Sequence, residues 1–305
     1  MPRLVQRLIR AAMRAYPFSG GHGRIVDSPT VRAIKFPEAR LRVRTRAGFD
    51  LTVMPNDFIG RYVYYTGRAL SHDVAEVLLS LARPGDRILD VGANVGYISC
   101  ALLHGCEGCR VAAVEPQPEC FALLSENLAP FGGRGVAVRA AVSDHEGVGT
   151  MEVANNLGKS HLVASAEEVP EERRLEVQLL TGKAVMAASG LDRLDLVKID
   201  VEGHEESVLK SLEPVFREHP PRTVVFEHFG DPTAEGSVIN EMFRRLGYDL
   251  MAIRRGWFGW RLVPAASYLR QGGKVRDYVA VLKEGAKQSA PPQRGEVLAE
   301  SGSSR

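Results

Sequence analysis

Short apolar segments alternate with helical stretches through the middle of the chain. Five of these segments have the character of strands, at residues 87–91, 110–114, 136–142, 194–199 and 223–227. Strands separated by helices form a mostly parallel sheet with helices on both faces. The pattern therefore predicts an α/β fold with a doubly wound sheet. Two later segments, 248–253 and 278–283, have no convincing helix between them and are expected to form an antiparallel pair at the sheet edge.

The first 54 residues have a different pattern. Residues 41–54 alternate apolar and polar side chains on both sides of Ala47-Gly48, which predicts a β-hairpin. Residues 1–16 form an amphipathic helical pattern, and residues 17–31 are rich in Gly, Ser and Pro and are expected to form a linker. Residues 284–305 have the composition of a disordered tail. We therefore divide the chain at 1–40, 41–283 and 284–305.

Charge is unevenly distributed along the 305 residues. The net charge is +2, yet residues 1–47 hold eleven Lys and Arg and only two acids, a local net charge of +9. Four of these cations share one face of the first helix: Arg3, Arg7, Arg10 and Arg14. Such a helix either packs on its own domain with its Arg face in water, or lies on an anionic membrane surface through residues 1–16.

Composition excludes several classes of protein. The small net charge gives no drive towards nucleic acid, and no apolar run approaches the ~20 residues that span a bilayer. Without a secretion signal, we expect a cytoplasmic protein, with contact at the inner face of the membrane as an alternative.

Cys100, Cys106, Cys109 and Cys120 are accordingly expected to be reduced thiols. His104 and three of these cysteines are too close in sequence for the usual zinc site.

The most informative motif joins an apolar strand to a glycine turn. Residues 88–91 end the strand, with Asp90 inside it and Gly92 and Gly96 in the turn that follows. Glycine is required where the backbone approaches a ligand or adopts a positive φ. The next strand ends at Glu115, whose carboxylate can accept hydrogen bonds from ribose hydroxyls. The combination predicts a nucleoside-binding crevice at the carboxyl ends of the strands.

The turn departs from the dinucleotide fingerprint G-x-G-x-x-G. Asn94 stands where the central glycine would be, and Asp90 would repel a diphosphate. An acid at this position suits a ligand that carries a sulfonium and an ammonium group. These features favour S-adenosylmethionine over a nicotinamide dinucleotide. An NAD-type oxidoreductase with a degenerate turn, or a non-catalytic nucleoside-binding module, are the alternatives.

Four stretches of the chain, in order, resemble the FkbM-type S-adenosylmethionine-dependent methyltransferases: LTVMPNDFIGRYVYYTG (51–67), LDVGANVGYIS (89–99), VEPQPECFALLSENL (114–128) and DLVKIDVEGHEESVLKSL (195–212). The resemblance implies a class I methyltransferase fold, Rossmann-like, with strand order 3-2-1-4-5-7-6 and strand 7 antiparallel. It also implies methyl transfer, usually to oxygen, on sugars, glycolipids or natural products. Two positions depart from the family pattern: Leu70 stands where Glu is usual, and Thr181 where Asp is usual.

The resemblance and the strand pattern together predict the residues of the site. The cofactor-binding set comprises Asp90, Gly92, Ala93, Asn94, Gly96, Tyr97, Glu115, Pro116, Ala141 and Asp200. The acceptor is expected to be a small molecule, a glycan or a glycolipid, and the sequence gives no oligomeric state.

Titratable residues follow the last two parallel strands. Because parallel strands end at one edge, Asp200, Glu227 and His228 are expected to converge. They could hold Mg²⁺, as catechol-type O-methyltransferases do, although His is a poor ligand for that ion. Without metal, Asp200 would lie near the methionine ammonium and a His would act as general base. The predicted catalytic residues are Asp200, His204 and His228.

Two polar or aromatic loops could also contact a substrate. His161 ends a polar loop at residues 155–161. Residues 256–260 hold both tryptophans, and they form either a lid over the crevice or a hairpin that buries its aromatic rings. Glu202 and Glu205 are expected to belong to a hydrogen-bonded network at the strand end.

Overall fold

The structure is a computed structural model that describes residues 2–16, 21–154, 160–163, 169–256 and 259–285. The described helices are α1 (Pro2–Ala15), α2 (His22–Val26), α3 (Pro29–Arg32), α4 (Phe58–Thr66), α5 (His72–Leu81), α6 (Tyr97–Gly105), α7 (Pro118–Leu128), α8 (Gly182–Ser189), α9 (Glu205–Glu218), α10 (Val238–Arg245) and α11 (Ala265–Arg270). The described strands are β1 (Leu41–Arg44), β2 (Asp50–Val53), β3 (Arg87–Val91), β4 (Arg110–Val114), β5 (Gly135–Val138), β6 (Ala141–Val142), β7 (Gly147–Glu152), β8 (His161–Val163), β9 (Arg174–Leu180), β10 (Leu196–Ile199), β11 (Thr223–Glu227), β12 (Tyr248–Gly256), β13 (Gly259–Pro264) and β14 (Asp277–Leu282).

The main sheet has eight strands in the order β13-β12-β14-β11-β10-β3-β4-β5. Strands β5, β4, β3, β10 and β11 are parallel, and β14 is antiparallel to both of its neighbours, β11 and β12. Numbered without the extra edge strand β13, this order is 3-2-1-4-5-7-6. The predicted doubly wound sheet with one antiparallel strand is therefore confirmed, as is the antiparallel pairing of the last two predicted strands.

Both faces of the sheet are buried. Ile88 and Val111 point into the apolar cluster on one face, which includes residues of α5 and α6, whereas Leu89 and Ala112 point into the cluster on the other face, which includes residues of α8, α9 and α10. Successive side chains of a strand alternate between faces. Burial on both sides explains why these strands are continuous apolar runs in the sequence.

The N-terminal segment forms an additional layer. The predicted hairpin is present as the antiparallel pair β1 and β2. The prediction of a linker over residues 17–31 was wrong for the part that the structure describes, because α2 and α3 lie there and bury Val26 and Val31 against Tyr62 and Tyr65 of α4. Ser28 caps α3 through Val31 N, at 3.5 Å. Ser28 followed by Pro29 is a helix-start signal that the Gly-rich composition of this segment did not reveal.

A second sheet was not predicted. Its order is β6-β9-β7-β8, with β7 antiparallel to both β8 and β9. The predicted strand over residues 136–142 is in fact two strands in different sheets, since β5 pairs with β4 and β6 pairs with β9. The chain passes from one sheet to the other at residues 139–140. The second sheet places Met151 and Leu162 over the edge where the parallel strands end.

The prediction for the four cysteines was wrong in part. Cys106 and Cys109 form a disulfide, so the prediction of four reduced thiols was wrong for this pair, while Cys100 and Cys120 are free and buried. The hairpin of β12 and β13 carries Trp260, which packs against an apolar cluster, whereas residues 257–258 lie outside the described residues. Most of the predicted tail, 286–305, also lies outside them. Among the described helices, none has the length and apolar character to cross a membrane.

Candidate functional site

A cavity of about 430 Å³ opens at the carboxyl ends of the parallel strands. The turn after β3 and the residues after β4 form one side, and β6 and the second sheet form another. Ile59 and Val63 of α4, with Leu70 and Ser71 before α5, line the opposite wall. The cavity therefore lies where ligands bind in doubly wound sheets.

The glycine turn after β3 is packed tightly against neighbouring strands. The amides of Gly92 and Ala93 both donate to Val114 O at 3.0 Å. Gly92 and Asn94 have positive φ angles of 74° and 51°. A Cβ on Gly92 would lie 1.8 Å from Asp200 O. The backbone after β10 therefore requires glycine at this position, whereas the sequence analysis attributed the requirement to a ligand.

Gly96, which immediately precedes α6, is also constrained by the protein. A Cβ there would lie 2.7 Å from Leu124 Cδ1, and its φ is 87°. Gly96 does not line the cavity, which is a correction to the predicted cofactor set. Its function is to let α6 pack closely on α7.

Glu115 lies at the cavity edge immediately after β4. Its Oε2 accepts a hydrogen bond from Asn94 N at 2.9 Å, and its Oε1 accepts one from Gln117 N at 3.0 Å. Burial raises the pKa of Glu115 to about 7, although these two amides and Lys198 favour the charged form. Each carboxylate oxygen has a second lone pair for a ligand. The side chain is thus fixed at the cavity and retains capacity to accept two more hydrogen bonds.

Asp90 holds the interior of the site together but does not line the cavity. It is fully buried, its Oδ2 accepts from Ser99 Oγ at 2.6 Å, and its Oδ1 lies 3.2 Å from Lys198 Nζ. Its predicted contact with a cationic ligand is therefore corrected to a buried ion pair.

Lys198 is a component of the site that was not predicted. Its Nζ donates to Gly92 O at 2.7 Å and to Val91 O at 3.2 Å, and it lies 3.8 Å from Asp200 Oδ2. Burial opposes its charge, yet Asp90 and Asp200 outweigh burial and raise the pKa of Lys198. The ammonium therefore fixes the glycine turn. A lysine two residues before Asp200 on the same strand face was the available signal.

Three carboxyl groups converge beside the glycine turn. Oxygens of Asp200, Glu202 and Glu227 lie within 4.8 Å of one another, and all three side chains line the cavity. Burial, followed by the charges of Asp200, Glu202 and Asp277, raises the pKa of Glu227 to about 8. Glu227 is therefore largely protonated at neutral pH. The predicted proximity of Asp200 and Glu227 is present in the structure.

His228 is not part of this cluster. It lines a separate cavity of about 330 Å³ with Lys210 and Phe229. Adjacent residues of an extended segment point to opposite faces, so Glu227 and His228 cannot both face the first cavity from this strand end. The predicted ligand set of Asp200, Glu227 and His228 is corrected accordingly, and Glu202 is the third carboxylate of the cluster.

His204 and His161, which were also considered as site residues, both have polar partners. His204 lines both cavities, and its Nε2 lies 3.2 Å from Ser143 Oγ. Burial is the largest effect and lowers the pKa of His204, so the ring is neutral at pH 7. His161 Nε2 lies 3.8 Å from Glu152, while its neighbours Ser160 and Leu162 line the cavity. Glu205 accepts from the amides of Val201 and Gly203, as the predicted strand-end network implies.

Two arginines at the cavity were not predicted. Arg255 forms ion pairs with Asp73 and with Asp277, the latter at 2.7 Å. Arg276 Nη1 lies 3.9 Å from Glu227 Oε1, and most of the Arg276 side chain is exposed. Both follow from the arrangement of β12 and β14, which the sequence pattern could not supply.

Of the predicted cofactor residues, these line the cavity: Gly92, Ala93, Asn94, Tyr97, Glu115, Pro116, Ala141 and Asp200.

Known proteins resemble this chain over the same region. Residues 90–250 match the family described as methyltransferase FkbM domain. Hexuronic acid methyltransferase AglP of Haloferax volcanii is 30% identical over 141 residues, which are 46% of this chain and 55% of that protein. The methyltransferase FkbM of Streptomyces tacrolimicus, which acts on 31-O-demethyl-FK506, is 27% identical over 215 residues, 61% of this chain and 77% of its own length.

A solved structure resembles part of the chain. The methyltransferase FkbM of Methylobacillus flagellatus has a TM-score of 0.44 and 16% identity, and the alignment covers 65% of this chain and 44% of that one. The family match is the stronger finding, since it spans more than half of the chain, from the end of β3 through β4, β10 and β11. This chain belongs to the FkbM methyltransferase family.

Proposed function

We propose that the protein is an S-adenosylmethionine-dependent methyltransferase that methylates a hydroxyl oxygen of a saccharide, a glycolipid or a secondary metabolite. The proposal rests on Glu115, held at the cavity edge by two backbone amides with oxygen lone pairs remaining. Membership of the family supports the same activity. It also argues against the NAD-type oxidoreductase considered above.

The residues present fit the cofactor. Glu115 would accept hydrogen bonds from the ribose hydroxyls, and the apolar side chains of Pro116, Ala141 and Val142 would lie against the adenine. Asp200 faces the cavity and would bind the methionine ammonium. When bound, S-adenosylmethionine supplies a methyl group activated by its sulfonium.

The remaining chemical task is to take a proton from the acceptor hydroxyl. Glu227 is the group best suited to this task, because its pKa of about 8 is close to neutral pH and it lines the cavity beside Asp200. Arg276 Nη1 lies 3.9 Å from Glu227 Oε1 and would attract the carboxylate once Glu227 ionises. The proposed base is thus a carboxylate, with His204 as the alternative that faces the same cavity.

The carboxylate cluster raises the question of a divalent metal. Three close acids need compensation. Lys198 lies 3.8 Å from Asp200, and a proton on Glu227 removes the charge of that carboxyl group near neutral pH. We therefore expect methyl transfer to continue after chelation with EDTA and dialysis. Loss of turnover that added Mg²⁺ or Mn²⁺ restores would instead assign the cluster to a metal.

The class of acceptor is inferred from the relatives. One relative is named for a hexuronic acid and another for a demethylated FK506, so both are methyltransferases with different acceptors. Both names are consistent with transfer to a hydroxyl of a sugar or a natural product.

Methyl transfer can be tested without knowing the acceptor. Glycan and lipid extracts from cells that lack the protein are incubated with purified protein and S-adenosylmethionine, and analysed by mass spectrometry. We expect a species heavier by one methyl group, absent with Glu227→Gln and present with Glu241→Gln, an exposed position on α10. If no such species forms in any extract while cofactor binding is intact, the chain is a non-catalytic binding module.

A further inference from the structure

Helix α1 leaves most of its apolar face uncovered. Leu4 and Leu8 are 65% and 63% exposed, and Val5 is 44% exposed. These side chains lie on one side of the helix, since residues three and four apart are neighbours on its surface. Burial of this apolar side against the domain is the alternative to membrane contact. The structure does not support that alternative for Leu4, Val5 and Leu8.

The exposed face does not result from a detached helix. Met13 of α1 is buried in a cluster with Tyr62 and Tyr65, and Ile9 packs against the same cluster. Arg10 stacks over the ring of Tyr64 at 4.8 Å, and Arg14 Nη2 donates to Arg44 O at 2.9 Å. The helix is therefore fixed to α4 and β1 through one side while the leucines point to solvent. Its 14 residues are too few to cross a bilayer.

Exposed cations are present on α1 and elsewhere in the N-terminal layer that carries this face. Arg7 is exposed on α1, and Arg24 and Lys35 are further cations of the same N-terminal layer. Residues 1–47 hold only two acids against eleven Lys and Arg, a net charge of +9. Burial, and then the neighbouring Arg10 and Arg46, lower the pKa of Arg14, which reports a crowded positive region. A second copy of the chain would bring the same positive layer against this one, and like charges oppose such contact.

We propose that α1 binds the surface of an anionic phospholipid bilayer, with Leu4, Val5 and Leu8 inserted at the headgroup boundary and exposed cations of the N-terminal layer, such as Arg7, near lipid phosphates. An apolar face in a cationic layer is the combination that such surfaces bind. The helix also adjoins the cavity region, because Arg14 lies against Gly67, three residues before the cavity residue Leu70. Vesicle binding is measured without cofactor or acceptor, so its outcome does not depend on the proposed function.

The test is cosedimentation of the full chain with vesicles. We expect binding to phosphatidylglycerol–phosphatidylcholine vesicles at low salt, little binding to pure phosphatidylcholine, and at least a tenfold weaker partition at 1 M salt, where the Debye length is ~3 Å. Leu4→Gln/Leu8→Gln should weaken binding at least about tenfold without changing the net charge. Because both leucines are exposed, this variant should retain the melting temperature of the unsubstituted protein.

A matched control replaces exposed apolar residues elsewhere. Val148→Gln/Val238→Gln, in β7 and α10, should bind vesicles as the unsubstituted protein does. Equal binding by the two double variants, or no binding to anionic vesicles, overturns the proposal. Analytical ultracentrifugation tests whether a second copy of the chain covers this face instead. If the unsubstituted protein forms a dimer that Leu4→Gln/Leu8→Gln dissociates, and it does not bind vesicles, the face belongs to a dimer interface.

Discussion

Glu227 is the residue whose protonation state decides most about the proposed chemistry. It shares the cavity with Asp200 and Glu202, and burial with these neighbouring charges raises its pKa to about 8. A carboxyl group in this state exchanges a proton near neutral pH, which an ordinary Glu does not. Function and stability should therefore both depend on this one group, but in opposite directions as the pH rises.

The activity should increase with pH. Only the carboxylate form of Glu227 can accept the hydroxyl proton, and that form decreases about tenfold per pH unit below its pKa. We expect kcat/KM to rise from pH 6 and to level off only above pH 8, in agreement with the pKa of about 8. Glu227→Gln should lower kcat by about 10²–10⁴-fold and remove the rising limb. An unchanged profile in this variant would exclude Glu227 as the base.

The stability effect has the opposite sign. A folded-state pKa above the unfolded value means that the folded protein binds the proton more tightly, so Glu227 costs stability once it ionises. Relative to Glu227→Gln, the unsubstituted protein should lose stability between about pH 4.5 and pH 8, and the difference should be constant above pH 8. Thermal unfolding of both proteins across this range measures the difference. Parallel stability curves would show that the pKa is not raised.

Gly92 carries a requirement that comes from the protein itself. Its φ of 74° and the approach of Asp200 O leave no room for a Cβ. Gly92→Ala should lower the free energy of unfolding by about 2 kcal/mol or more through strain and overlap. Gly203→Ala is the matched control, because Gly203 also has a positive φ but a Cβ placed on it would meet nothing within 4 Å. Similar urea midpoints for the two variants would contradict this explanation.

At the scale of elements, the N-terminal hairpin of β1 and β2 is joined to the glycine turn after β3 through α7. Asn127 is buried, and its Nδ2 donates to Thr52 O at 2.9 Å and to Val95 O at 2.8 Å. Its Oδ1 accepts from Thr52 N at 2.6 Å. One side chain thus satisfies backbone groups of β2 and of the turn that precedes α6. The hairpin is part of the scaffold that positions the glycine turn.

Removal of this amide should loosen both elements together. Asn127→Ala leaves buried backbone groups without partners, and each such group costs about 1–3 kcal/mol. We expect a loss of at least about 2 kcal/mol in the free energy of unfolding by urea denaturation. Asn240 on α10 provides the control, because its Nδ2 makes only hydrogen bonds of 3.3 and 3.5 Å. Asn240→Ala should therefore lower the free energy of unfolding much less. A loss no larger than that of the control would show that the hairpin is held by packing alone.

At the scale of the whole molecule, local patterns predicted the parallel sheet but not what covers it. Buried strands such as β3 and β4 are continuous apolar runs with recognisable turns, so these strands and the positions of Gly92 and Glu115 could be predicted from the residue pattern, whereas the strand order was implied by the family resemblance. The second sheet pairs β7, whose sequence GVGTME is mostly not apolar, with β9, and no local pattern specifies that pairing. Arg255 and Arg276 reach the cavity only because β12 and β14 pair there.

The direction of individual side chains was the other limit. Asp90 was predicted to face the ligand, but it points into the interior and pairs with Lys198, because Lys198 comes from the adjacent strand β10 in register with it. Convergence of strand ends likewise did not distinguish Glu227 from His228. Which of two consecutive residues faces a cavity depends on the phase of the strand, and that phase is fixed by tertiary packing.

Glu115 is proposed to anchor S-adenosylmethionine at the cavity edge, and calorimetric titration with S-adenosylhomocysteine measures that contact without any acceptor. We predict binding by the unsubstituted protein, no heat with NAD, and about 10²-fold weaker binding by Glu115→Ala, since two hydrogen bonds to a charged group are lost. Glu119→Ala, an exposed position on α7, should bind normally. The assignment would be contradicted if the protein bound NAD but did not bind S-adenosylhomocysteine. It would also be contradicted if Glu115→Ala and the unsubstituted protein bound S-adenosylhomocysteine with equal affinity.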